Sequence, residues 1–209
     1  MGFQIFESIL VENGRCFLWD LHKERLACSA DVFSYSFDLR TLEKKRDDLL
    51  EGCATGTFKL RLFLDRDGRI SGDIAPPVPI RTNHVVLSEA GVDSKLPLLG
   101  HKTTAQKYLY PEAAERLKGE NLADVLFWNE KGQVTEGSRA NIFYQAEGKL
   151  FTPPAHCGLL PGTFRGHLLA KGLVEERILR VIDLPIVEAL YLGNSVRRLF
   201  PVRLFKAVI

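Results

Sequence analysis

Apolar and polar residues alternate along the first third of the chain in short runs that are typical of strands joined by tight turns. Residues 3–11 alternate in this way, and an Asn-Gly turn separates them from a return strand at residues 16–19. A second pair is expected at residues 58–64 and 69–74, which flank an Asp-Gly turn. The pattern therefore predicts two antiparallel hairpins in this part of the chain.

Helical spacing of apolar residues appears at four places along the sequence. Asp20 is a candidate N-cap for the first helix, and the second helix covers residues 39–50. A third helix is expected to start at Lys102 and to run to Leu117, and a fourth to start at Gly162. Helices and strands therefore share the chain, which predicts an α+β protein.

The other strands are predicted in the later part of the chain. They are strand or mixed segments at residues 85–87, 124–128, 141–144, 149–151, 174–182, 189–192 and 202–208. The Pro-rich residues 76–79 cannot continue a ladder and are typical of an edge or a connection. We therefore expect a small N-terminal α/β domain over residues 1–95, a linker at about 91–100, and a larger C-terminal domain over 101–209.

The composition excludes several classes of function. Of the 209 residues, 45% are hydrophobic and 26% are charged, which is typical of a globular protein. The net charge of +2 is dispersed, so we expect no nucleic-acid partner. No stretch has the roughly 20 apolar residues of a membrane span, so we expect no membrane association and no signal peptide. Four scattered cysteines predict a reduced, cytoplasmic protein without a metal site.

Lys102 is the candidate nucleophile. It follows Gly100 and His101 at the start of the third predicted helix, where the positive potential of a helix N-terminus lowers the pKa of an amine. The neutral amine is the form that attacks a carbonyl group. Considered alone, such a residue is more often a solvated surface lysine, so its context has to decide.

Glu136 is a candidate partner for a ring nitrogen, because its neighbours Gly137 and Ser138 are small enough to let a flat ring approach. A carboxylate held against a pyridine nitrogen keeps that nitrogen protonated. The alternative is an exposed acid in a turn, which the motif fits about equally well.

Two turns and one arginine could bind an anion. Residues 158–165 present backbone N–H groups at a predicted helix start, and the turn at 193–196 adds the hydroxyl of Ser195. Arg25 in the first helix would supply a guanidinium. The alternatives are an ordinary Pro-Gly turn and a helix-surface salt bridge. With a lysine and a lone acid, these features are what a pyridoxal phosphate site requires.

Arg61 lies within an apolar strand, on the face that also carries Lys59 and Phe63. It either borders a site and meets a substrate carboxylate, or it lies on the solvated face of an amphipathic strand. The sequence leaves both interpretations open.

Six segments carry a resemblance to a known family, in the order IFESILVENG, LHKERLACSA, HKTT, DVLFWNEKGQVTEGSRANIF, TPPAHCGLLPGTFR and LGNSV. The chain resembles the class IV pyridoxal phosphate (PLP) enzymes, which include branched-chain aminotransferases, D-amino acid aminotransferases and 4-amino-4-deoxychorismate lyases. The resemblance covers nearly the whole chain. It implies the two-domain class IV PLP-enzyme fold of the D-amino acid aminotransferase type, fold type IV, and a homodimer that acts on a small molecule.

The resemblance also implies roles for six residues. Lys102 would form the Schiff base, Glu136 would contact the pyridine nitrogen, and Arg25 would bind the phosphate. The backbone of Thr163 and Phe164 and the turn at Ser195 would complete the phosphate cup. Whether Tyr108, Tyr110 or neither of them approaches the cofactor stays open.

Within this family, the segments HKTT, HKERLACSA and NSVR are most similar to those of aminodeoxychorismate lyases. The resemblance therefore implies a lyase that converts 4-amino-4-deoxychorismate to 4-aminobenzoate and pyruvate, a step of folate precursor synthesis. Lys102 would remove a proton from the amine-bearing carbon, and Arg61 would orient a substrate carboxylate. Two alternatives stay open, an aminotransferase acting on branched-chain or D-amino acids and a relative that binds the cofactor without effective turnover.

Overall fold

The computed structural model describes residues 2–205, apart from the side chains of Gln106 and Lys107. The chain forms two compact units, which comprise Met1–Val78 with His101–Ala105, and Pro79–Gly100 with Gln106–Ile209. Each unit has its own sheet and its own buried core. The α+β class predicted from the sequence is confirmed.

Within residues 2–205, the first unit is built on a four-stranded antiparallel sheet. Its strands, in the spatial order β2-β1-β3-β4, are β1 (Ile5–Glu12), β2 (Arg15–Cys16), β3 (Thr57–Leu64) and β4 (Ile70–Ala75). β1 and β3 pair from Ile5 opposite Leu64 to Glu12 opposite Thr57. Both predicted hairpins are confirmed, although β2 is shorter than expected.

Two helices, α1 (Trp19–Val32) and α2 (Leu39–Leu50), pack on this sheet. α1 follows Leu18, which has a φ of 55°, so the prediction of Asp20 as the N-cap is wrong. α2 has the predicted bounds, and the Asp38 carboxylate caps it by accepting a hydrogen bond from the Thr41 backbone N–H at 2.8 Å. The core of the unit lies between the helices and the sheet.

In the described part of the second unit, eight strands form one sheet in the spatial order β10-β9-β8-β11-β12-β5-β6-β7. They are β5 (His84–Leu87), β6 (Asp124–Trp128), β7 (Val134–Gly137), β8 (Asn141–Ala146), β9 (Lys149–Thr152), β10 (Glu175–Glu176), β11 (Ala189–Asn194) and β12 (Arg198–Leu204). Because β7 also pairs with β8, six of these strands close into a ring around a large apolar core.

The helices of the second unit are α3 (Gln106–Leu109), α4 (Pro111–Gly119) and α5 (Thr163–Ala170), with short 3-10 turns at Pro97–Gly100, Ala155–Cys157 and Val181–Ile186. α5 begins at Thr163, one residue after the predicted start at Gly162, which is its N-cap. The single helix expected from Lys102 to Leu117 is instead two helices, because Pro111 has no N–H to continue the first and is favourable at the start of the second. No described helix is both long and apolar enough to cross a membrane.

The division into units differs from the expected linker at residues 91–100. β5 pairs with β6 and β12, so the chain joins the second sheet before that linker. Residues 101–105 then return to the first unit, because Thr103 forms an antiparallel bridge with Ile5. In place of the strand expected at residues 174–182, the chain forms β10, an isolated bridge between Arg180 and Gln133, and the beginning of a 3-10 turn. Residues 206–208 of the last predicted strand lie outside the described chain.

Candidate active site

The segment that carries Lys102 is paired with the edge of β1. The Phe6 backbone N–H donates to the Lys102 carbonyl at 3.0 Å, and the Thr104 backbone N–H donates to the Gln4 carbonyl at 2.9 Å. Together with the bridge between Ile5 and Thr103, these bonds place Lys102 directly opposite Phe6. The two side chains therefore lie on the same face, with the Lys102 Nζ 4.5 Å from the centroid of the Phe6 ring.

This position corrects the expectation that Lys102 lies at a helix N-terminus. α3 begins only at Gln106 and has four residues, so a helix dipole does not explain a nucleophilic amine at Lys102. The lysine is instead held by backbone hydrogen bonds to a strand, with an aromatic ring beneath its ammonium group. A strand edge is a rigid support, which suits a group that has to be placed accurately.

Arg61 lies on the same face of the sheet as Lys102. The Phe6 ring stacks on the ring of Phe63 with 5.7 Å between centroids, and the Arg61 guanidinium lies 5.5 Å from the centroid of Phe63. The guanidinium also makes two hydrogen bonds to the Asp73 carboxylate, of 3.0 and 2.7 Å. The Arg61 side chain is 43% exposed, so it lies on the open face of an amphipathic strand. Its role toward a substrate stays a prediction.

Arg25 binds a buried carboxylate that was not identified from the sequence. Its Nε donates to Glu7 Oε1 at 2.8 Å and its Nη2 donates to Glu7 Oε2 at 2.5 Å, while the His22 Nδ1 lies 2.6 Å from the same Oε2. Glu7 falls in the core-facing register of β1 between Ile5 and Ile9. A charged residue at an apolar position of an alternating strand was the available signal.

Burial and charge decide which groups of this cluster are ionised. Burial alone would raise the pKa of Glu7, but the charge and hydrogen bonds of Arg25 and His22 lower it to about 2. Burial lowers the pKa of His22, and Glu7 offsets this only in part. We therefore assign an ionised Glu7 whose counterion is Arg25. The Arg25 Nη1 makes no hydrogen bond within residues 2–205, so this nitrogen is available for an oxyanion.

His101, next to Lys102, is bound to the same helix. Its Nδ1 lies 2.9 Å from the Ser29 hydroxyl, and its ring packs edge-on to Phe33 with 4.7 Å between centroids. Burial lowers the pKa of His101. The contact fastens the lysine segment to α1, the helix that also supplies Arg25.

In the second unit, Glu136 is a strand residue that is only 4% exposed, so the alternative of an exposed acid in a turn is wrong. Its partner across the ladder from β7 to β8 is Asn141, whose Nδ2 donates to Glu136 Oε2 at 3.1 Å. Oε1 accepts two further hydrogen bonds, from the Tyr110 hydroxyl at 2.9 Å and from the Leu160 backbone N–H at 3.0 Å. At least three donors from separate parts of the unit thus fix the carboxylate.

Asn141 also binds the loop that leads into α5. Its Nδ2 donates to the Leu160 carbonyl at 2.8 Å. Gly162 passes so close that a Cβ there would lie 2.1 Å from the Asn141 Oδ1, which only a glycine permits. The acid and the loop therefore hold each other in place. Sequence reasoning noted Asn141 only as part of a motif and missed this connection.

The buried Asp124 orders the turn that follows Glu136. Its Oδ1 accepts from the Ser138 hydroxyl at 2.5 Å and from the Ser138 backbone N–H at 3.1 Å, and its Oδ2 accepts from the Arg139 backbone N–H at 3.1 Å. Burial raises the pKa of Asp124, and these donors and Arg139 oppose that shift. Gly137 is required here, because a Cβ would lie 2.8 Å from Asp124 Oδ2.

The start of α5 has the properties of an anion site. Gly162 is its N-cap and offers no side-chain hydrogen bond, and the first turn contains no acidic residue. The positive end of the helix, which includes the backbone of Thr163 and Phe164, is therefore not balanced by a carboxylate of its own first turn.

The second predicted turn differs from expectation. Ser195 is 5% exposed, between β11 and β12, but the Asn194 Oδ1 accepts from the backbone N–H groups of Val196 and Arg197 at 3.1 and 2.9 Å. Part of this nest is already occupied by a side chain. The role of Ser195 therefore stays a prediction.

These residues fit pyridoxal phosphate in their chemistry. The cofactor needs an amine, a carboxylate and groups that bind a phosphate. The chain offers an amine on a rigid strand edge and a buried carboxylate held by directed donors. It also offers a helix start without an acid and a guanidinium with one open nitrogen. Lys102, Arg25 and Arg61 belong to the first unit, and the other predicted site residues belong to the second. In the described chain, no three His, Cys, Asp or Glu residues are grouped as metal ligands.

Comparisons with known proteins agree with this chemistry. A candidate aminodeoxychorismate lyase of Schizosaccharomyces pombe is 29% identical over 203 residues, which cover 93% of this chain and 86% of that protein. A bifunctional aminodeoxychorismate lyase and D-amino acid transaminase of Mycobacterium tuberculosis is 28% identical over 230 residues, covering 93% of this chain and 78% of that one.

The fold is also similar to solved structures. The crystal structure of a candidate amino-acid aminotransferase from Mesorhizobium loti superposes with a TM-score of 0.89 at 33% identity, covering 97% of this chain and all of that one. The family model for amino-transferase class IV matches residues 4–205. Because this match spans nearly the whole chain, the protein belongs to the class IV aminotransferase family of PLP-dependent enzymes.

Proposed function

We propose that this protein is a PLP-dependent lyase that converts 4-amino-4-deoxychorismate to 4-aminobenzoate and pyruvate. The observation that carries the cofactor part of the proposal is the fastening of Glu136 to the loop before α5, through Leu160 and Asn141. One rigid element thereby offers both a carboxylate and an anion-binding helix start. The similarity to a candidate lyase along most of both chains supports the choice of reaction.

Each residue has a separate task in this proposal. Bound PLP supplies an electron sink next to the carbon that loses a proton. Lys102 would hold the cofactor and, once the substrate amine has displaced it, would act as the base that removes this proton. Glu136 keeps a positive charge on the ring nitrogen, since its carboxylate is fixed by directed donors. Loss of this proton and cleavage of the C–O bond to the enolpyruvyl group would make the six-membered ring aromatic. The enolpyruvate that leaves would take up a proton to become pyruvate.

The anionic groups are bound by the arginines and by the helix start. Arg25 offers Nη1 to the phosphate while Glu7 holds its other two nitrogens. The backbone at Thr163 and Phe164 and the turn at Ser195 complete the phosphate site. Arg61, which is half-exposed on the same face as Lys102, orients a substrate carboxylate. We also propose, from the resemblance, that the enzyme is a cytoplasmic homodimer.

An aminotransferase is the second candidate function. It would use the same Lys102, Glu136 and phosphate site, because it begins with the same removal of a proton. The relative from Mycobacterium tuberculosis carries both activities in its name, and the similar Mesorhizobium loti structure is that of a candidate aminotransferase. A relative that binds the cofactor without effective turnover is the third.

The test combines spectroscopy with product analysis. The purified protein is titrated with PLP beside two variants, Lys102→Ala and Lys23→Ala. Lys23 is a suitable control because it is a partly buried lysine of α1 that is paired with Asp20 and Glu43. We expect an absorbance band of the bound cofactor that Lys102→Ala abolishes and Lys23→Ala retains. Aminodeoxychorismate is then added, and pyruvate and 4-aminobenzoate are measured.

Each outcome selects one function. Formation of both products supports the lyase. A band that depends on Lys102, without products but with conversion of the cofactor by branched-chain or D-amino acids, selects the aminotransferase. A band without either reaction selects the inactive relative. The absence of any band that depends on Lys102 would contradict the cofactor proposal itself.

A further inference from the structure

Tyr110 is a buried tyrosine whose hydroxyl contacts the proposed partner of the cofactor ring. It is 3% exposed, and its ring packs against Phe127 with 4.3 Å between centroids. Its hydroxyl donates to Glu136 Oε1 at 2.9 Å. Tyr110 lies between α3 and α4, directly before Pro111, so the break that the proline imposes also sets the position of the ring.

The surroundings keep the Tyr110 hydroxyl in the form that donates. Burial raises the pKa of Tyr110 well above its usual value, and the negative charges of Glu136 and Asp124 raise it further. Among the described side chains, these two carboxylates are the charged groups that act on the pKa of the phenol. The hydroxyl therefore remains protonated throughout the range in which an enzyme operates, and it always has a proton to offer to Glu136.

We propose that Tyr110 is a positioning residue that holds Glu136 ionised and correctly oriented for the pyridine nitrogen of the cofactor. The inference rests on the proposed function, because it requires that PLP binds with its ring nitrogen at Glu136. The sequence left open whether Tyr110 approaches the cofactor, and in this proposal Tyr110 acts on the cofactor through Glu136.

The proposal has a consequence that simple packing would not produce. A hydrogen bond to a carboxylate favours its charged form, so loss of the Tyr110 hydroxyl makes Glu136 ionise less readily. A protonated pyridine binds well only while Glu136 carries its charge. When the pH is lowered, the affinity for PLP should therefore begin to fall at a higher pH in Tyr110→Phe than in the unmodified protein. One hydrogen bond to a charged group corresponds to a displacement of about one pH unit.

The experiment measures the dissociation constant of PLP from pH 5 to 9 by fluorescence quenching, in the unmodified protein, in Tyr110→Phe and in Tyr144→Phe. Tyr144 is the matched control, because it is also 3% exposed in the second unit. Its hydroxyl lies 3.2 Å from the Arg177 carbonyl and 3.3 Å from the Ile178 carbonyl, and its removal leaves the donors of Glu136 in place. Circular dichroism and thermal melting establish that both variants are folded.

We call the fall in PLP affinity at low pH the acid limb. Its midpoint should rise by about one pH unit in Tyr110→Phe and remain unchanged in Tyr144→Phe. An acid limb that coincides in all three proteins would overturn the role of Tyr110 and leave the proposed function intact. If the unmodified protein binds no PLP, the proposed function fails and the role of Tyr110 fails with it.

A second variant covers the case in which Tyr110→Phe does not fold. The unmodified sequence and Tyr144→Phe are produced with 3-fluorotyrosine, whose hydroxyl is a stronger hydrogen-bond donor. The acid limb should then move to lower pH in both proteins. An unchanged limb in these fluorinated proteins would contradict the inference.

Discussion

Each unit contains one buried glutamate next to the proposed chemistry, and the two are stabilised in different ways. Glu7 is 1% exposed and is bound by the guanidinium of Arg25 and the imidazole of His22. Glu136 is 4% exposed and accepts hydrogen bonds from a phenol, an amide and a backbone N–H. The cation of Arg25 holds the first carboxylate, and three neutral donors are among the groups that hold the second.

This difference assigns Glu7 to the support of the fold and Glu136 to the binding of the cofactor. A carboxylate that is paired with a guanidinium forms a charge-balanced unit, which stabilises the fold and orients the arginine. The neutral donors of Glu136 favour its charged form, which is the form that attracts a cationic ring nitrogen. We therefore expect a change at Arg25 to lower stability as well as PLP affinity, and a change at Glu136 itself to act mainly on the cofactor.

The largest expected effect is that of Arg25→Met. It leaves a buried, ionised Glu7 without its cation, which should lower the free energy of unfolding by about 3–5 kcal/mol. In the double variant Glu7→Met with Arg25→Met, most of this loss should be recovered, because an apolar pair replaces the ion pair. PLP affinity should be low in both variants, since neither has a guanidinium. Urea unfolding and cofactor titration measure the two effects, and a double variant that binds PLP normally would contradict a phosphate role for Arg25.

The pH dependence of stability should show the same ion pair. The pKa of Glu7 is about 2 in the folded protein against an ordinary value of 4.5, so its contribution to stability is complete above pH 4.5 and is lost as the pH falls toward 2. The difference corresponds to about 3 kcal/mol. Urea unfolding between pH 2.5 and 6 should therefore show a steeper acid loss in the unmodified protein than in the double variant. Equal slopes would mean that Glu7 is not ionised in the folded state.

Glu136→Gln should affect activity more than stability. The amide cannot accept from both Asn141 and Tyr110 in the present geometry, and it carries no charge for a ring nitrogen. We expect kcat to fall by about a hundredfold, as is typical when a preorganised electrostatic group is removed. Glu147→Gln, a change at an exposed acid paired with Arg177, is the control and should have normal kinetics. A Glu136 variant with normal kcat would remove this residue from the mechanism.

Gly162→Ala tests the connection between the acid and the loop. A Cβ at this position would collide with the Asn141 side chain, so the amide has to move away from Glu136. We expect a loss of about 2 kcal/mol in the free energy of unfolding and weaker binding of PLP. Gly166→Ala is the matched control in α5, where a Cβ meets nothing within 4 Å and should stabilise the helix by up to about 1 kcal/mol. Thermal melting and cofactor titration distinguish the two.

The smallest effect on stability is expected for Arg61→Ala. Its ion pair with Asp73 is half-exposed, so its loss should cost less than about 1 kcal/mol. If Arg61 orients a substrate carboxylate, KM should rise severalfold while kcat changes little. Arg69→Ala removes another exposed arginine, which lies just before β4 and is paired with Asp65, and serves as the control. An unchanged KM would leave Arg61 as a residue of the solvated strand face.

Much of the fold follows from local signals. The bounds of α2 and β6 were predicted as observed, and the start of α5 was predicted to within one residue. The reason is that a cap, a continuous apolar run and a Pro-Gly turn act within a few residues. The third predicted helix was wrong because Pro111 outweighs the apolar periodicity around it. The division into units also differed, because strand pairing over long distances sets it.

The sequence by itself determined the family of this protein, its α+β class and the types of residue that its site requires. Only the tertiary structure decided how these residues are held. It paired Lys102 with the edge of β1 and joined Glu7 to Arg25 and Tyr110 to Glu136 by hydrogen bonds. These partners are far apart in the sequence, and no periodicity encodes their pairing. The physical reason is that a local pattern specifies which face of a strand or helix a side chain occupies, whereas its partner depends on the register and packing of distant segments.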